Sequence, residues 1–540
     1  MLGTEYNWLI NLTYTSEGVP QIRRAGSGLI TVVVAVFCFF CVALHAGVPA
    51  DSASPLNVRD YGAIGDGNVH RVSEWIKNGR YASMRELRRD CPVVQTDEWT
   101  VDEAAFELAK TKLPASGGTI YFPAGRYVAV HGSWTIKKDH VHLLGDGAEQ
   151  TVLLTAAKIN DALVLAGYRH VGWLSHAAQQ FPFAPESGKP GDASVKLLDP
   201  AWRDDLKPGD LVFIRNGACR FDQDYGEFNE VTTVDQTGSL QFKHPLARDY
   251  SLGCVNWAGT VATDFIMPKD QRRVSITTSP GPGNFQPSPG EAITVGGQLF
   301  EVVDTGKSSL QLKNVGRGNA NPRTKIPAGS KIAKSRAVIK LTQSTRDFRA
   351  EKIQFVGHRK VLNLSNSYET EFVDCRFVRQ PADEDDAKGG LTIDGDGGRW
   401  ARFTRCTIQA TPPWGMQFAR SFGGVTFEAC TFEDTNVAFT EFGFDCEVKN
   451  CSFNFHGPNP EAVVVVGKSG GDFRISGNQI RAENAGFIFD SQQDIQSQKH
   501  RGEGGFIIRD NTVTTTGKTQ VFRLSPELSA DVGNNTISAH

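Results

Sequence analysis

One short phrase, written eight times between Thr345 and the C-terminus, restricts this chain to a repeating architecture. An apolar residue is followed by two variable residues, a small or polar residue, one more variable residue and a second apolar residue. The copies are Phe348–Ile353, Phe372–Phe377, Phe403–Ile408, Phe427–Phe432, Val448–Phe453, Ile475–Ile480, Ile508–Val513 and Val532–Ile537. Their fourth positions are Glu351, Cys375, Cys406, Cys430, Cys451, Asn478, Asn511 and Asn535, so the steps are 24, 31, 24, 21, 27, 33 and 24 residues. A period in the twenties with loops of variable length marks a solenoid, in which each repeat packs only on its neighbours. That is how 540 residues escape the ~250–300 at which one globular core stops growing.

The fourth position is expected to stack into an inward ladder, of thiols first and of hydrogen-bonding Asn from Asn478 onward. Buried free Cys behaves as a small hydrophobe, so Cys375, Cys406, Cys430 and Cys451 are expected to be reduced. Cys219 with Cys254 is the better disulfide pair, and no Cys or His spacing resembles a zinc site. The 55 glycines suit many short strands closed by turns. A net charge of −3 gives no polyanion-binding surface, which argues against nucleic acid as a partner.

Near the N-terminus, Arg23 and Arg24 precede an apolar run from Leu29 to Leu44 and the small-residue stretch Ala46-Gly47-Val48-Pro49-Ala50. This is the layout of a secretory signal over residues 1–50, with cleavage expected before Asp51 and Ala46 as the second choice. The run is short for the ~20 residues that span a bilayer; uncleaved, it would act as a membrane anchor. Residues 51–187 then read as a cap and the first coils. Thr100 and Glu103 form a capping box for a helix at Val101–Lys110, apolar on one side through Ala105, Phe106 and Leu108, which could cover the open end of the solenoid. Short strands closed by glycine follow at Gly118–Tyr121, Val141–Leu144 and Thr151–Leu154.

Arg59-Asp60-Tyr61-Gly62-Ala63-Ile64-Gly65-Asp66-Gly67, the short helix, and Gly117-Gly118-Thr119-Ile120-Tyr121-Phe122-Pro123-Ala124-Gly125-Arg126-Tyr127 resemble the start of the pectate lyase superfamily domain. This is the rhamnogalacturonase/epimerase-like group, built on the pectin lyase fold. The resemblance covers about Asn57–Leu154 and implies an all-β, right-handed parallel β-helix with a short N-terminal capping helix. It also implies an acidic, pectin-like polysaccharide as substrate. The chain departs from the group by inserting about thirty residues, Asn68–Asp97. The repeat is lost between about Gly188 and Ser335, where Phe228–Asp235 with Ser239–Lys243 and Phe300–Asp304 with Ser309–Lys313 read as hairpins of one or two inserted β modules. The second of these resembles modules of phage tail-fibre proteins. Residues 336–540 are expected to resume the coils.

A second set of short strands precedes most ladder positions: Val361–Leu364, Leu391–Ile393, Met416–Phe418, Val437–Phe439, Val463–Val466 and Phe487–Phe489. Asp394, Arg420, Glu441, Lys468 and Asp490 follow these strands, so both signs of charge are expected on one face. Two chemistries fit. In β-elimination a base removes the proton α to a uronate carboxyl; Arg420 or Lys468 would be that base, Lys468 more easily, because Arg scarcely deprotonates. Asp394, Glu441 and Asp490 would bind sugar or Ca²⁺, the one cofactor this set suits. In hydrolysis two carboxyls flank the bond. Asp394 with Glu441, or Glu441 with Asp490, lie two rungs apart, roughly 9.6 Å, at the upper edge of the range for inversion. The signature of polygalacturonases is absent, with Asp394-Gly395-Asp396 and His456-Gly457 as partial echoes. Asp383–Asp386 lacks the spacing of a Ca²⁺ loop. Trp400, Trp414 and Phe442 could stack on sugar rings or anchor loops.

The expectation is a secreted β-helix that cleaves an extracellular acidic polysaccharide, with a lyase ranked above an inverting hydrolase. A non-catalytic binder or adhesin of tail-spike build is the rival, because a fold does not fix a function. Oligomeric state is not legible from the sequence.

Overall fold

The computed structural model describes residues 54–539, apart from 166–179, 184–186, 198–199, 216–225, 249, 251–256, 267–272, 280–286, 288, 290–291, 296–297, 315–324, 335–337, 342–344, 366, 382–390, 411–414, 440–443, 457–458, 467–472, 484, 491–505 and 525–529. The signal-like segment and the Cys219–Cys254 pair lie outside the described residues.

The coils wind into a parallel β-helix with three faces. The third face is a sheet of ten parallel strands, running from Gly125–Ala129 through Gln354–Gly357 and Arg376–Arg379 to Thr536–Ala539. The first face holds Asp161–Leu165, Lys360–Asn363, Val437–Phe439, Ala485–Asp490 and Gln520–Arg523, among others. The second holds Gly118–Phe122, Val141–Gly145, Thr345–Glu351, Ser367–Val373, Cys446–Lys449, Phe506–Arg509 and Ala530–Gly533. Two long strands, Leu391–Thr404 and Met416–Glu428, turn the corner between the first and second faces and merge both into one eighteen-stranded sheet.

Alternate residues of each strand point inward, and this phase makes the core. Phe372, Phe403 and Phe427 stack at 4.9 and 4.7 Å, and Phe432 on Phe453 at 4.3 Å. The repeated phrase forms the corner between the second and third faces. Its middle residue takes a left-handed backbone at Lys352, Asp374, Arg405, Ala429, Asn450, Asp510 and Asn534 (φ 51–59°), with Gly477 at 67°. The bend keeps the ladder intact, because the Asp374 N–H still donates to Thr404 O at 3.0 Å and Asn450 N–H to Ser476 O at 3.0 Å.

The residue after each bend points inward, and here the first copy needs correcting. Glu351 pairs with Val373, so Ile353 and not Glu351 occupies the position of Cys375. The ladder therefore begins with a fully buried Ile. The four thiols are free and buried, and the Cys406 thiol is pushed above its ordinary value, first by burial. Beyond them, Asn478 Nδ2 donates to Val448 O at 2.9 Å and to Asn511 Oδ1 at 2.9 Å, and Asn511 Nδ2 donates to Asn535 Oδ1 at 2.9 Å.

The N-terminal end is closed. α1 (Val72–Lys77) and α2 (Met84–Asp90) come from the thirty-residue insertion, and α3 (Val101–Lys112) lies across the first coil. Phe106 of α3 packs on Trp134 at 5.4 Å and on Phe122 at 5.6 Å. The capping box is present: Glu103 N–H donates to Thr100 Oγ1 at 3.1 Å and Thr100 N–H to Glu103 Oε2 at 2.9 Å. Buried Asp102 ties α3 to the Ile64-Gly65 turn, accepting from the Ile64, Gly65 and Val128 N–H groups at 2.8, 3.2 and 3.0 Å.

Between Leu165 on the first face and Thr345 on the second, the chain leaves the solenoid. The coil after the excursion stacks directly on the coil before it: Ala350 pairs with Leu143, Phe355 with Leu153 and Leu362 with Leu163. The inserted part is a six-stranded antiparallel sheet and a closed six-stranded barrel. The sheet joins Gln180–Pro182, Ser194–Lys196, Leu211–Arg215, Gly226–Val234, Ser239–Phe242 and Val338–Leu341. The barrel runs from Trp257 to Lys334 around Ile293, Phe300, Val302, Leu312 and Ile332. Both expected hairpins are present as antiparallel pairs.

Candidate functional site

The register on the first face fixes which expected site residues can meet. Asn363 pairs with Asp394, Asp394 with Gln417, Gln417 with Ala438, Val465 with Asp490 and Asp490 with Arg523. Ala438 pairs in turn with Val465, so Asp394 and Asp490 share one column. The neighbouring Ile393, Met416, Val437 and Phe489 are buried in the core, so this column faces outward. Asp394 and Asp490 are four rungs apart, roughly 19 Å at ~4.8 Å per rung. Arg420 lies on the same long strand, three residues beyond Gln417, and so outside the column. Glu441 and Lys468 lie outside the described residues, as do Trp414, Phe442 and Asp383–Asp386.

Asp490 is 1 % exposed, and both of its carboxylate oxygens accept from Arg523, Oδ1 from Nε at 2.9 Å. The guanidinium also sits 3.7 Å from the centre of the Phe487 ring. This pair clamps two successive coils.

Asp394 belongs to a different arrangement. Its Oδ2 accepts from Lys360 Nζ on the preceding coil. One coil further back, Asp161 pairs in register with Lys360, and its Oδ1 accepts a long hydrogen bond from Asn363 Nδ2 at 3.4 Å. Two carboxyls, on coils two rungs apart, thus both engage the strand between them, which carries Lys360 and Asn363. Their environments differ. The Asp161 carboxyl is raised above its ordinary value, first by burial, against the opposing pull of Lys360 and Asn363; the charge of Asp394 adds to the rise. The Asp394 carboxylate has an ammonium in contact. Asp161, Lys360 and Asn363 were not singled out by sequence. No signal in the sequence brings Asp161 to Asp394, because the register two coils back from Asp394 is Val164 and Asp161 stands three residues earlier.

The described cluster does not fit Ca²⁺. Lys360 stands between Asp161 and Asp394, where a cation shared by them would sit. Among the described residues no group of three His, Cys, Asp or Glu side chains is arranged to hold a metal.

Two further polar regions lie elsewhere on the described coils. On the second face, His142 is in register with Arg349, which bonds Glu371 at 2.5 Å, and the His142 imidazole is held below its ordinary value by burial and then by Arg349. At the seam with the inserted sheet, His244 and Lys243 bond Glu369 at 3.1 and 2.7 Å. Trp400 is an anchor of this seam: its ring lies 3.8 Å from His244, 5.3 Å from Tyr368 and 3.9 Å from the Arg399 guanidinium. Arg399 in turn reaches buried Glu227 at 3.2 Å and donates to Phe228 O at 2.9 Å.

No family model matches the chain, and no curated protein matches it in sequence. Solved structures that align with it are parallel β-helix proteins. The tailspike protein gp49 of Pseudomonas phage LKA1 is 13% identical, with 90% of this chain and 76% of that chain covered and a TM-score of 0.46. The tailspike gp61 of Pseudomonas phage phi297 is 15% identical over 90% and 75%, with a TM-score of 0.42. The A-module of the mannuronan C-5 epimerase AlgE6 of Azotobacter vinelandii is 14% identical over 90% and 95%, with a TM-score of 0.34. The chain's own strand register makes it a parallel β-helix.

Proposed function

We propose that this protein is a carbohydrate-active enzyme that hydrolyses glycosidic bonds of an extracellular polysaccharide at the Asp161–Asp394 site. The observation that carries the reading is a pair of outward carboxyls in unlike environments, one raised by burial and one in contact with an ammonium. Two carboxyls in such unlike surroundings can divide the roles of acid and base. Their strands are two rungs apart, roughly 9.6 Å, and the residues stand three positions out of register, each side chain reaching the strand between, Asp161 to Asn363 and Asp394 to Lys360; we read the gap between the two carboxyls as the place of the attacking water. Asp161, protonated, gives its proton to the departing glycosidic oxygen. Asp394 takes a proton from the water whose oxygen attacks the anomeric carbon from the opposite side. Bond cleavage consumes one water and inverts the configuration.

The secretory reading of residues 1–50 would bring the enzyme to such polymers. β-Elimination with Lys468 or Arg420 as base is the rival reading, and one assay separates the two. The test is a panel of neutral and uronate-containing polysaccharides, with and without chelator, followed for new reducing ends and for the ultraviolet absorbance of unsaturated uronate. Reducing ends without that absorbance are expected, with kcat falling ~10²–10⁴-fold in Asp161→Asn and Asp394→Asn. Unsaturated product, or a panel that is bound and released uncut, would overturn the reading; so would full activity of both variants.

A further inference from the structure

Charge is spread unevenly along this chain. The inserted barrel, Trp257 to Lys334, carries ten Lys and Arg against five Asp and Glu, a net +5, whereas the whole chain is at −3 and the remainder therefore at −8. The near-neutral total hides one strongly cationic part. Internal pairing does not cancel it: Lys313 bonds Glu301 at 3.1 Å and Lys325 bonds Asp264 at 2.5 Å, yet five carboxylates leave five cations in excess. Ile276, Leu310 and Leu312 are buried in the barrel core, so Arg273, Ser275 and Thr277 of one strand and Ser309, Gln311 and Lys313 of the next face outward. Arg273 stands opposite Lys313, Ser275 opposite Gln311 and Thr277 opposite Ser309. Like charges set directly opposite cost stability, and Glu301 neutralises Lys313 alone, from its other side. Arg273 is exposed, and no carboxylate among the described residues pairs with it. From this cationic rung, two rungs of hydroxyls and an amide run to the Gly306–Ser309 turn, where Lys307 is exposed. Lys313 and Lys307 are six residues apart, roughly 20 Å of strand at ~3.3 Å per residue. Asp304, opposite Gln311 on a third strand, borders the strip.

We propose that the barrel is a second binding site, for an anionic polysaccharide, and that it holds the polymer which the Asp161–Asp394 site cuts; only this last clause rests on the hydrolase reading. The spacing of the strip selects the ligand. Duplex nucleic acid carries a charge every ~1.7 Å of its axis, which a strip with cations at its two ends does not match. No aromatic side chain stands on the strip for the bases of a single strand to stack on. An acidic sugar chain sets sparse carboxylates among many hydroxyls, and Ser275, Thr277, Ser309 and Gln311 supply hydroxyl and amide partners between the cations. The −8 on the remainder steers such a chain to the barrel rather than to the coils. The excursion that carries the barrel leaves the first face at Leu165, four residues after Asp161. A polymer held there is kept at a raised local concentration beside the cutting site.

The test is affinity electrophoresis of the full chain in gels holding polygalacturonate, alginate, hyaluronate, uncharged dextran or duplex DNA, each against a polymer-free gel. Retardation by at least one of the three acidic polysaccharides is expected, with none by dextran, and it should fade as salt is raised. Arg273→Gln with Lys307→Gln should weaken it roughly 3- to 30-fold, as two exposed cation contacts would, with melting as in the parent. Lys112→Gln with Lys137→Gln, exposed cations of α3 and the coils, makes the same change in net charge and should leave retardation as it was. No retardation by any acidic polysaccharide, equal retardation by dextran, stronger retardation by DNA, or equal weakening by the two double variants would each overturn the proposal. Retardation without new reducing ends supports the barrel site and strikes only the hydrolase reading; new reducing ends without retardation strike the barrel site alone.

Discussion

Replacing Asn511 with Ala tests whether the inner ladder changes character along the helix. Asn511 and Asn478 are each 1% exposed. Asn511 Oδ1 accepts from the Asn478 N–H at 3.0 Å and from Asn478 Nδ2 at 2.9 Å, while Asn511 Nδ2 donates to Ile475 O at 3.0 Å. The truncation leaves the Asn478 N–H without that acceptor and Ile475 O without that donor, both in the interior. Asn478 Nδ2 keeps Val448 O, and Asn535, at the half-exposed end, can turn to water. Two interior groups at ~1–3 kcal/mol each give a loss of about 2–6 kcal/mol. Cys406→Ala removes only a weak thiol donor, 3.4 Å from Phe372 O, and one heavy atom; about 1 kcal/mol is expected. Because repeats couple to their neighbours, the Asn511 loss should stay in the last coils. Hydrogen exchange of residues 473–539 should accelerate roughly 30-fold to 10⁴-fold, at tenfold per ~1.4 kcal/mol, with the coils before Val448 unchanged. If Asn511→Ala costs no more than Cys406→Ala, the Asn ladder is not a hydrogen-bonded device and the reasoning fails.

Three other outcomes are expected. Arg399→Met or Glu227→Gln should each cost ~3–5 kcal/mol in urea unfolding, because a buried ion pair loses one of its charges, whereas the double change Arg399→Met with Glu227→Met should recover part of the loss, the Ala247 N–H having lost its acceptor. Gly423→Ala would put a methyl carbon 2.2 Å from Phe444 Cζ, so about 1–3 kcal/mol of overpacking should appear as a lower melting temperature. His70 is raised above its ordinary 6.5 by its hydrogen bonds to Asp66 and then Glu74. Its contribution is therefore complete below about 6.5 and lost as pH rises through the folded value. All three side chains are partly exposed, so the effect should stay below ~1 kcal/mol. Exchange in Val72–Lys77 should quicken from pH 5.5 to 8.5 in the parent and show no such step in His70→Gln once intrinsic rates are corrected.

The features legible in the sequence were those set by near neighbours in the chain. The capping box of α3 and the hairpins at Phe228–Lys243 and Phe300–Lys313 depend on residues within about fifteen positions of each other, and the period of the coils showed because each copy of the phrase is itself only six residues long. The phase of the first copy was not legible, because Lys352, a non-glycine residue in a left-handed bend, looks like any other variable position. The site was legible only in part. Counting charges after each strand grouped Arg420 with Asp394, but the long strand Leu391–Thr404 turns a corner, and register sets Asp394 opposite Gln417. Asp161 was out of reach for a topological reason: its neighbour Lys360 is almost two hundred residues away, and only the stacked coils show that the two are adjacent rungs.

The excursion between Leu165 and Thr345 has a neck. Its first strand, Gln180–Pro182, pairs antiparallel with its last, Val338–Leu341, placing Phe181 opposite Ile339. What lies beyond is tied off like a pouch, with cores of its own. The winding either side of it is continuous, so the rungs stack without it, and what ties the contents to the coils is the seam of Glu227 with Arg399 and of His244 and Lys243 with Glu369. Loop closure opposes such growth only weakly: expanding a ~20-residue turn about eightfold costs roughly 2 kcal/mol in chain entropy. This corner is therefore a port, where what hangs beside the helix could change while the register of the coils either side stays as it is.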